Sequence, residues 1–238
     1  MTSSRDAIRQ EYADRARRLA GTDRYSPFNP AQLFALQQRQ RQVLAILRRR
    51  GFYPLTGKRV LEVGCGSGGV LGEFLGYGVP PQHLHGADVL ADRVAAAHQW
   101  LPHLPIICAA GQQLPYAAGS FDLLLQYTMF SSILDAGTRA QVAREMLRVL
   151  RRPGGLIIWY DFWWNPTNRQ TRGIRPAEIR RLFPGCQWEF HRLTLAPPIT
   201  RRLAAHTWLA CYLLEQLGLL NTHYMVAIQP GRAKGASS

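Results

Sequence analysis

Lysine is almost missing from this chain. Lys58 and Lys234 are its only two, so arginine carries nearly all of the positive charge behind a formal balance of +14. Acids are scarce as well, 15 against 29 basic residues. Such an excess invites a nucleic-acid reading. The arginines are scattered, however, and no basic motif interleaved with base-stacking aromatics occurs. Nucleic acid is therefore not the expected partner, and a small acidic or phosphorylated one fits better. Cys65, Cys108, Cys186 and Cys211 lie far apart with no CxxC pair, which reads as reduced thiols. His83 and His85 lack a third ligand, so no metal site is expected. No apolar run approaches the ~18 residues of a membrane span, and residues 1–20 lack the apolar centre of a signal peptide. A cytoplasmic protein is the expectation. The pattern does not define an oligomeric state, although the Arg-rich helices suit a membrane surface or another subunit.

With 238 residues, 47% of them hydrophobic, the chain has enough material for one α/β domain with decorations. Ile8, Tyr12 and Leu19 recur at helical spacing over residues 5–20. Asn29-Pro30 reads as a cap and first-turn proline for a second helix to about Arg50, with Leu33, Leu36, Val43, Leu44 and Leu47 on one side. Strands are expected near 59–63, 83–88, 105–109, 121–126, 155–161, 187–194 and 222–229. Helices are expected near 68–77, 91–101, 137–151 and 176–183. This alternation predicts a three-layer, Rossmann-like, seven-stranded and mostly parallel sheet. The division is an N-terminal helical cap (1–51), a core (58–196), a helical lid insertion (197–220), a last strand (221–230) and a disordered tail (231–238). In the insertion, Ile199, Leu203, His206, Ala210, Leu213 and Leu217 fall on one helical stripe.

The richest chemical signal is Val60 to Gly69, an apolar run with an acid, followed by a glycine loop and a helical pattern. Glycines let the backbone turn sharply and let a ligand lie against its N–H groups, beside the positive end of the next helix. Gly64, Gly66 and Gly69 satisfy the G-x-G-x-x-G pattern of dinucleotide binders, a weak signal alone. Glu62 argues against that ligand, because a carboxylate beside a pyrophosphate sets two anions in one crevice. It suits a ligand with cationic groups, such as the amino-acid end of S-adenosylmethionine.

Glu62-x-Gly64-x-Gly66-x-Gly68 resembles the first motif of the class I S-adenosylmethionine-dependent methyltransferases. Three further segments extend the resemblance over roughly residues 58–162. They are His85 to Val89, Leu114-Pro115-Tyr116 leading to Ser120-Phe121-Asp122-Leu123, and Arg148 to Gly155. The likeness is greatest to the small-molecule, type 11-like branch that includes quinone-biosynthesis enzymes. It implies S-adenosylmethionine as cofactor, with Glu62, Gly64, Cys65, Gly66 and Gly68 at its methionine end, Asp88 on the ribose and Val89 flanking the adenine. It also implies that the N-terminal extension covers the cofactor. Where the family usually has an acid for the adenine amino group, this chain has Ala110; Gly111 and Gln112 are the remaining candidates there. Gln126 is a further cofactor-side candidate.

Transfer from a sulfonium chiefly needs alignment, with a base where the acceptor is a hydroxyl. Asp161, at the end of the fifth strand, lies where open α/β sheets place ligands. Tyr127 follows the fourth strand, and His206 is the lone polar group on its stripe; these three are the catalytic candidates. Tyr25, Asn29, Tyr160, Trp163 and His223 are candidates for holding the acceptor. The expected activity is methyl transfer to a small molecule, most readily to an oxygen of a natural product, glycan or lipid precursor. An RNA methyltransferase and a noncatalytic cofactor-binding subunit are the alternatives, and a nicotinamide oxidoreductase is a distant fourth.

Overall fold

Seven strands pair into one sheet in the order β3, β2, β1, β4, β5, β7, β6. The structure, a computed structural model, describes Gln10, Asp14, Arg17, residues 20–164 and residues 171–231. Most of the predicted first helix and of the predicted disordered tail therefore lies outside the described residues. The chain runs through α1 (Pro30–Arg49), β1 (Val60–Val63), α2 (Gly69–Gly76), β2 (Leu84–Asp88), α3 (Ala91–Trp100), β3 (Ile106–Cys108) and β4 (Leu123–Tyr127). It continues through α4 (Ala136–Val149), β5 (Leu156–Phe162), α5 (Pro176–Leu182), β6 (Cys186–Leu195), α6 (Pro197–Leu203), α7 (Trp208–Leu217) and β7 (Asn221–Pro230). β1 to β5 are parallel to their neighbours, and β7 runs antiparallel between β5 and β6.

The central strands are covered on both sides, which is why Val-Leu-Glu-Val and Leu-Leu-Leu-Gln-Tyr read as continuous runs and not as alternation. One face packs against α1, α2 and α3 through Val43, Ile46, Leu47, Phe74 and Val94. The other packs against α4 and α5 through Val142, Met146, Ile179 and Phe183. Asn29 caps α1 as expected, its carboxamide oxygen accepting the Ala31 and Gln32 N–H groups at 3.0 and 3.3 Å. The buried residues of that helix are Phe34, Gln38, Val43, Ile46 and Leu47. The stripe is thus rotated from the expected one, and Leu44 is exposed.

A single helix was the simplest reading of the insertion, but it folds as two. Thr207 starts α7 by accepting the Ala210 N–H at 3.3 Å, and this break resets the helical phase. Ile199 and Leu203 pack on a small cluster of Phe34, Leu195, Ala204 and Cys211, whereas Leu213 and Leu217 face outward. The predicted stripe is not continuous, because its two halves belong to helices with different orientations. Both helices lie between the end of β6 and the start of β7. Since Phe162 pairs with His223 in the β5–β7 register, this is the end of the sheet where the parallel strands finish.

The turn into β5 shows how tightly that strand is seated. Gly154 has φ +98°, and the Gly155 N–H donates to the Arg151 carbonyl at 3.1 Å. A β-carbon on Gly155 would lie 2.5 Å from that same carbonyl oxygen. Backbone cannot yield as a side chain tip does, so Gly155→Ala is expected to destabilise by about 2 kcal/mol. Urea denaturation measures this, and an unchanged midpoint would refute the tight seating of the turn.

Candidate functional site

β1 ends in a turn in which Gly64, Gly66 and Gly68 all have positive φ, at +77°, +52° and +84°. L-residues with side chains avoid that region, so the glycines are needed for the path itself. The Gly64 and Cys65 N–H groups donate to the Ala87 carbonyl of β2 at 2.8 and 3.1 Å. Asp88 completes the frame: one carboxylate oxygen accepts the Gly66 N–H at 2.8 Å and the other accepts the Leu90 N–H at 2.9 Å. A carboxylate offers about four lone-pair sites, so acceptor capacity remains on Asp88. Cys65 is buried beneath the turn, and burial raises its thiol pKa well above the ordinary range, leaving a neutral small filler.

Glu62 lies on the strand leading into this turn, 2% exposed, and its Oε2 has no hydrogen-bond partner. Burial pushes its pKa well above the usual carboxylate range, opposed by the field of Arg39. An unfilled buried carboxylate oxygen costs the fold several kcal/mol. What fits beside it is a donor, and best a cationic one.

Arg39 comes from α1, far from the turn in sequence. Its guanidinium pairs with Glu73 of α2 and lies 5.2 and 5.7 Å from the ring centroids of Tyr127 and Tyr160. Burial works against its charge, but Glu73 and the two tyrosines outweigh it and hold its pKa above the ordinary value. Its Nε is buried without a partner. The site therefore holds an unfilled carboxyl oxygen and an unfilled guanidinium N–H, the complement of an amino acid's ammonium and carboxylate. The group that the sequence implies, S-adenosylmethionine, fits on this observation.

Tyr127, Tyr160 and His223 gather around Arg39. Burial raises the pKa of both phenols, so both are protonated hydroxyls at neutral pH, and the Tyr160 hydroxyl is 2.6 Å from Thr194 Oγ1. His223 stacks on Tyr160 with ring centroids 4.8 Å apart and an interplanar angle of 4°. Its tautomer follows from its neighbours. Thr222 donates its hydroxyl proton to the Thr194 carbonyl at 3.2 Å, so its oxygen accepts from His223 Nδ1–H at 2.9 Å. Nε2 is left with the lone pair and has no partner among the described residues. Burial, with Arg39 second, lowers the pKa of this imidazole to about 3, so it is neutral at pH 7.

Gln126 and Asp161 form a second, closed group. Asp161 accepts from Gln126 Nε2 at 3.2 Å, from the Ser131 N–H at 3.0 Å and from the Phe162 N–H at 2.8 Å. Gln126 Oε1 accepts the Met129 N–H at 3.0 Å. Burial raises the Asp161 pKa to about 6, with these donors opposing the shift. Both side chains hold the loop after β4, and that loop lays Met129 over the glycine turn: a β-carbon on Gly64 would lie 2.7 Å from Met129 Cγ.

The remaining candidates are dispersed. Val89 is half-buried beside Asp88, Gly111 packs on Val142 and Val63, and Gln112 is exposed. Asn29 is occupied as a helix cap, and ten residues of α1 set it about 15 Å from Arg39. Tyr25 is exposed near Arg201. Trp163 ties β5 to β7, its indole N–H donating to the Asn221 carbonyl at 2.8 Å. His206 is exposed in the turn between α6 and α7 and does not meet the crevice. Sequence reasoning missed Arg39 and Met129. The signal for Arg39 was present, because it shares the face of Val43, Ile46 and Leu47 as a charge on a buried stripe.

Residues 60–155 match the family described as a methyltransferase domain. A ubiquinone biosynthesis O-methyltransferase of Caulobacter sp. is 32% identical over 157 residues, 64% of this chain and 57% of that protein. A phthiotriol/phenolphthiotriol dimycocerosates methyltransferase of Mycobacterium ulcerans is 33% identical over 122 residues, 48% of this chain and 40% of that protein. The chain spans about half the length of these curated relatives. Among solved structures, a SAM-dependent methyltransferase from Archaeoglobus fulgidus shares the fold with a TM-score of 0.57 and 15% identity, covering 83% of this chain and 98% of that one.

The neutral imidazole at position 223 has a consequence for stability. A base whose folded pKa is lowered contributes fully above its unfolded value, near 6.5, and that contribution is lost as pH falls toward about 3. Each unit costs about 1.4 kcal/mol. Between pH 7 and pH 5 the native protein is expected to lose roughly 2 kcal/mol more than His223→Phe, which keeps a ring against Tyr160. Urea titrations at the two pH values measure this difference; equal losses would place a charged imidazole in the folded state.

Proposed function

We propose that the chain is a class I S-adenosylmethionine-dependent methyltransferase that transfers a methyl group to a small-molecule acceptor, with an oxygen as the receiving atom; its residues 60–155 match a methyltransferase domain. The observation that carries the cofactor assignment is the unpartnered Glu62 Oε2, buried at the base of the glycine turn opposite the unpartnered Arg39 Nε. S-adenosylmethionine, when bound, supplies a methyl group already activated on a sulfonium. Glu62 would hold its ammonium and Arg39 its carboxylate. The backbone of Gly64 to Gly68 would lie against the same end, Asp88 would offer its remaining lone pairs to the ribose hydroxyls, Val89 would flank the adenine, and Gly111 and Gln112 would meet its edge.

On the acceptor side, the closed group of Asp161, Gln126 and Ser131 positions the loop that carries Met129, and Tyr127 and Tyr160 wall the crevice. The Nε2 lone pair of His223 accepts the acceptor's hydroxyl proton in a hydrogen bond. Carrying that proton fully at pH 7, against a pKa of about 3, would cost roughly 5 kcal/mol. His223 therefore aims the oxygen and polarises its O–H. Once that oxygen has taken the methyl group it is a far stronger acid than the imidazolium, so its proton passes to Nε2 and on to water. Alignment supplies most of the rate, within the 7 to 11 kcal/mol that good positioning can give. Relatives named as O-methyltransferases, one of ubiquinone biosynthesis and one of malonyl-[acyl-carrier protein], support an oxygen as the receiving atom.

Calorimetry with S-adenosylmethionine and its demethylated product is expected to show binding of both. Glu62→Gln is expected to weaken S-adenosylmethionine by about 10- to 100-fold, the value of a hydrogen bond to a charged group. Label transfer from the methyl group to a lipid or small-molecule extract then tests turnover, and His223→Phe is expected to lower kcat more than it raises KM. Uptake of a nicotinamide coenzyme with no heat from either sulfur nucleoside would overturn the proposal.

A further inference from the structure

Helix α7 is apolar on both sides, although it lies at the surface. Its inner side is accounted for: Cys211 and Leu214 join Phe34, Leu195 and Ala204, and Trp208 meets Phe34 edge-on at 5.5 Å. Its outer side repeats at the same helical spacing, with Leu209, Tyr212, Leu213 and Leu217 all exposed. The ridge continues past the helix end through Leu219, 75% exposed, and the loop before α1, whose Arg24 and Tyr25 lie near Arg201 of α6, exposes Phe28 at 93%. A helix that is hydrophobic all round is one that expects cover on every side.

The charges beside the ridge are of one sign. Arg201 and Arg202 are exposed on α6, and no acid pairs with either among the described residues. Arg24, from the Phe28 loop, lies close enough to Arg201 to repel it, and together with burial lowers its pKa. Arg41 reaches over the Tyr212 ring at 5.8 Å. The one acid between residues 197 and 220 is Glu215, which is mostly buried and 3.8 Å from Arg41. Asp23 is turned to the Asn29 carboxamide at 3.1 Å.

We infer that the outer face of α7, with the Phe28 loop, docks on an anionic phospholipid surface. Leucines and aromatics beside arginines, with the acids internally paired, have the composition of an interfacial helix. A second copy of the chain is disfavoured by the same charges, because a self-paired patch would set Arg24, Arg201 and Arg202 against further arginines. Docking in this pose turns the ends of the parallel strands toward the bilayer, since the insertion lies at that end of the sheet. An acceptor with a lipid body would then enter from the membrane, a consequence that rests on the methyl-transfer reading; the docking itself does not.

Co-sedimentation of the full chain with vesicles of phosphatidylcholine, with and without 30 mol % phosphatidylglycerol, tests the inference. Binding is expected only with the anionic vesicles and to weaken as salt rises. Arg201→Ser/Arg202→Ser is expected to weaken it about 30-fold, at the usual contribution of a cation near such a surface. Leu213→Ser/Leu217→Ser is expected to weaken it about tenfold or more, and circular dichroism should show both variants folded. Failure to bind, equal binding to both vesicle types, or variants that bind as the native chain does would each overturn the inference. So would a dimer in sedimentation velocity that the leucine variant dissolves while vesicle binding is absent. No activity is read in these measurements, so their failure leaves methyl transfer to be judged by calorimetry and label transfer.

Discussion

The Asp88 carboxylate, bridging the Gly66 and Leu90 N–H groups, is the contact on which the site depends. The three left-handed glycines make the turn after β1 possible, but such a turn has many ways to lie. Hydrogen bonds from Gly64 and Cys65 to the Ala87 carbonyl give it one edge, and Asp88 gives it the other. The result joins β1, β2, α2 and the start of α3 in one rigid frame. A ligand therefore meets backbone N–H groups already aimed, without an ordering cost at the moment of binding. The same carboxylate keeps acceptor capacity, so in the proposed reading framing and ribose recognition share one side chain.

Electrostatics explain why that frame receives a zwitterion. Glu62 buries a carboxylate in a parallel strand, where no neighbouring backbone group can satisfy both oxygens because those groups are committed to the sheet. The field of Arg39 opposes that burial, but Arg39 is itself claimed by Glu73. The field only partly offsets the burial that raises the Glu62 pKa, and both groups stay incompletely hydrogen-bonded at the atom. Such a state is poor for stability, because a buried charge is tolerated only with partners. It is useful for binding, because the missing partners define the ligand: an ammonium for one and a carboxylate for the other. The tyrosines complete the logic. Tyr127 and Tyr160 hold Arg39 over their rings, adding an attraction of about 0.5 to 2 kcal/mol without consuming its N–H donors.

The sheet and its glycine turn were legible because their signals are local. β1, β4 and β5 are mostly apolar runs, each with one polar residue, and Gly64, Gly66 and Gly68 sit within five residues of one another. The capping of α1 by Asn29 was legible for the same reason. What was not legible was set by tertiary packing. Arg39 reaches the site because Val43, Ile46 and Leu47 fix how α1 rotates against the sheet. A rotation of the expected stripe by one position hides that arginine. His206 was misread for a related reason: an idealised helix carries the imidazole inward, but the cap at Thr207 resets the phase and leaves it in water. The role proposed for His223 depends on a tautomer set by its neighbour Thr222, whose hydroxyl is in turn oriented by the Thr194 carbonyl across the β6–β7 pair.

The antiparallel last strand ties the crevice to the surface around it. Because β7 runs against β5, it begins where β5 ends, and the Phe162–His223 pairing sets His223 at the rim of the site. Any insertion between β6 and β7 must then emerge at the same end of the sheet. In this chain the insertion is two short helices, one carrying exposed arginines and the other exposed leucines. Its inner half packs on Phe34 of α1, the helix that also delivers Arg39. The Trp208–Phe34 contact thus seats the insertion on the same helix that delivers Arg39. A substitution that repacks Phe34 would disturb the seat of both, whereas one confined to Leu213 or Leu217 would touch only the surface.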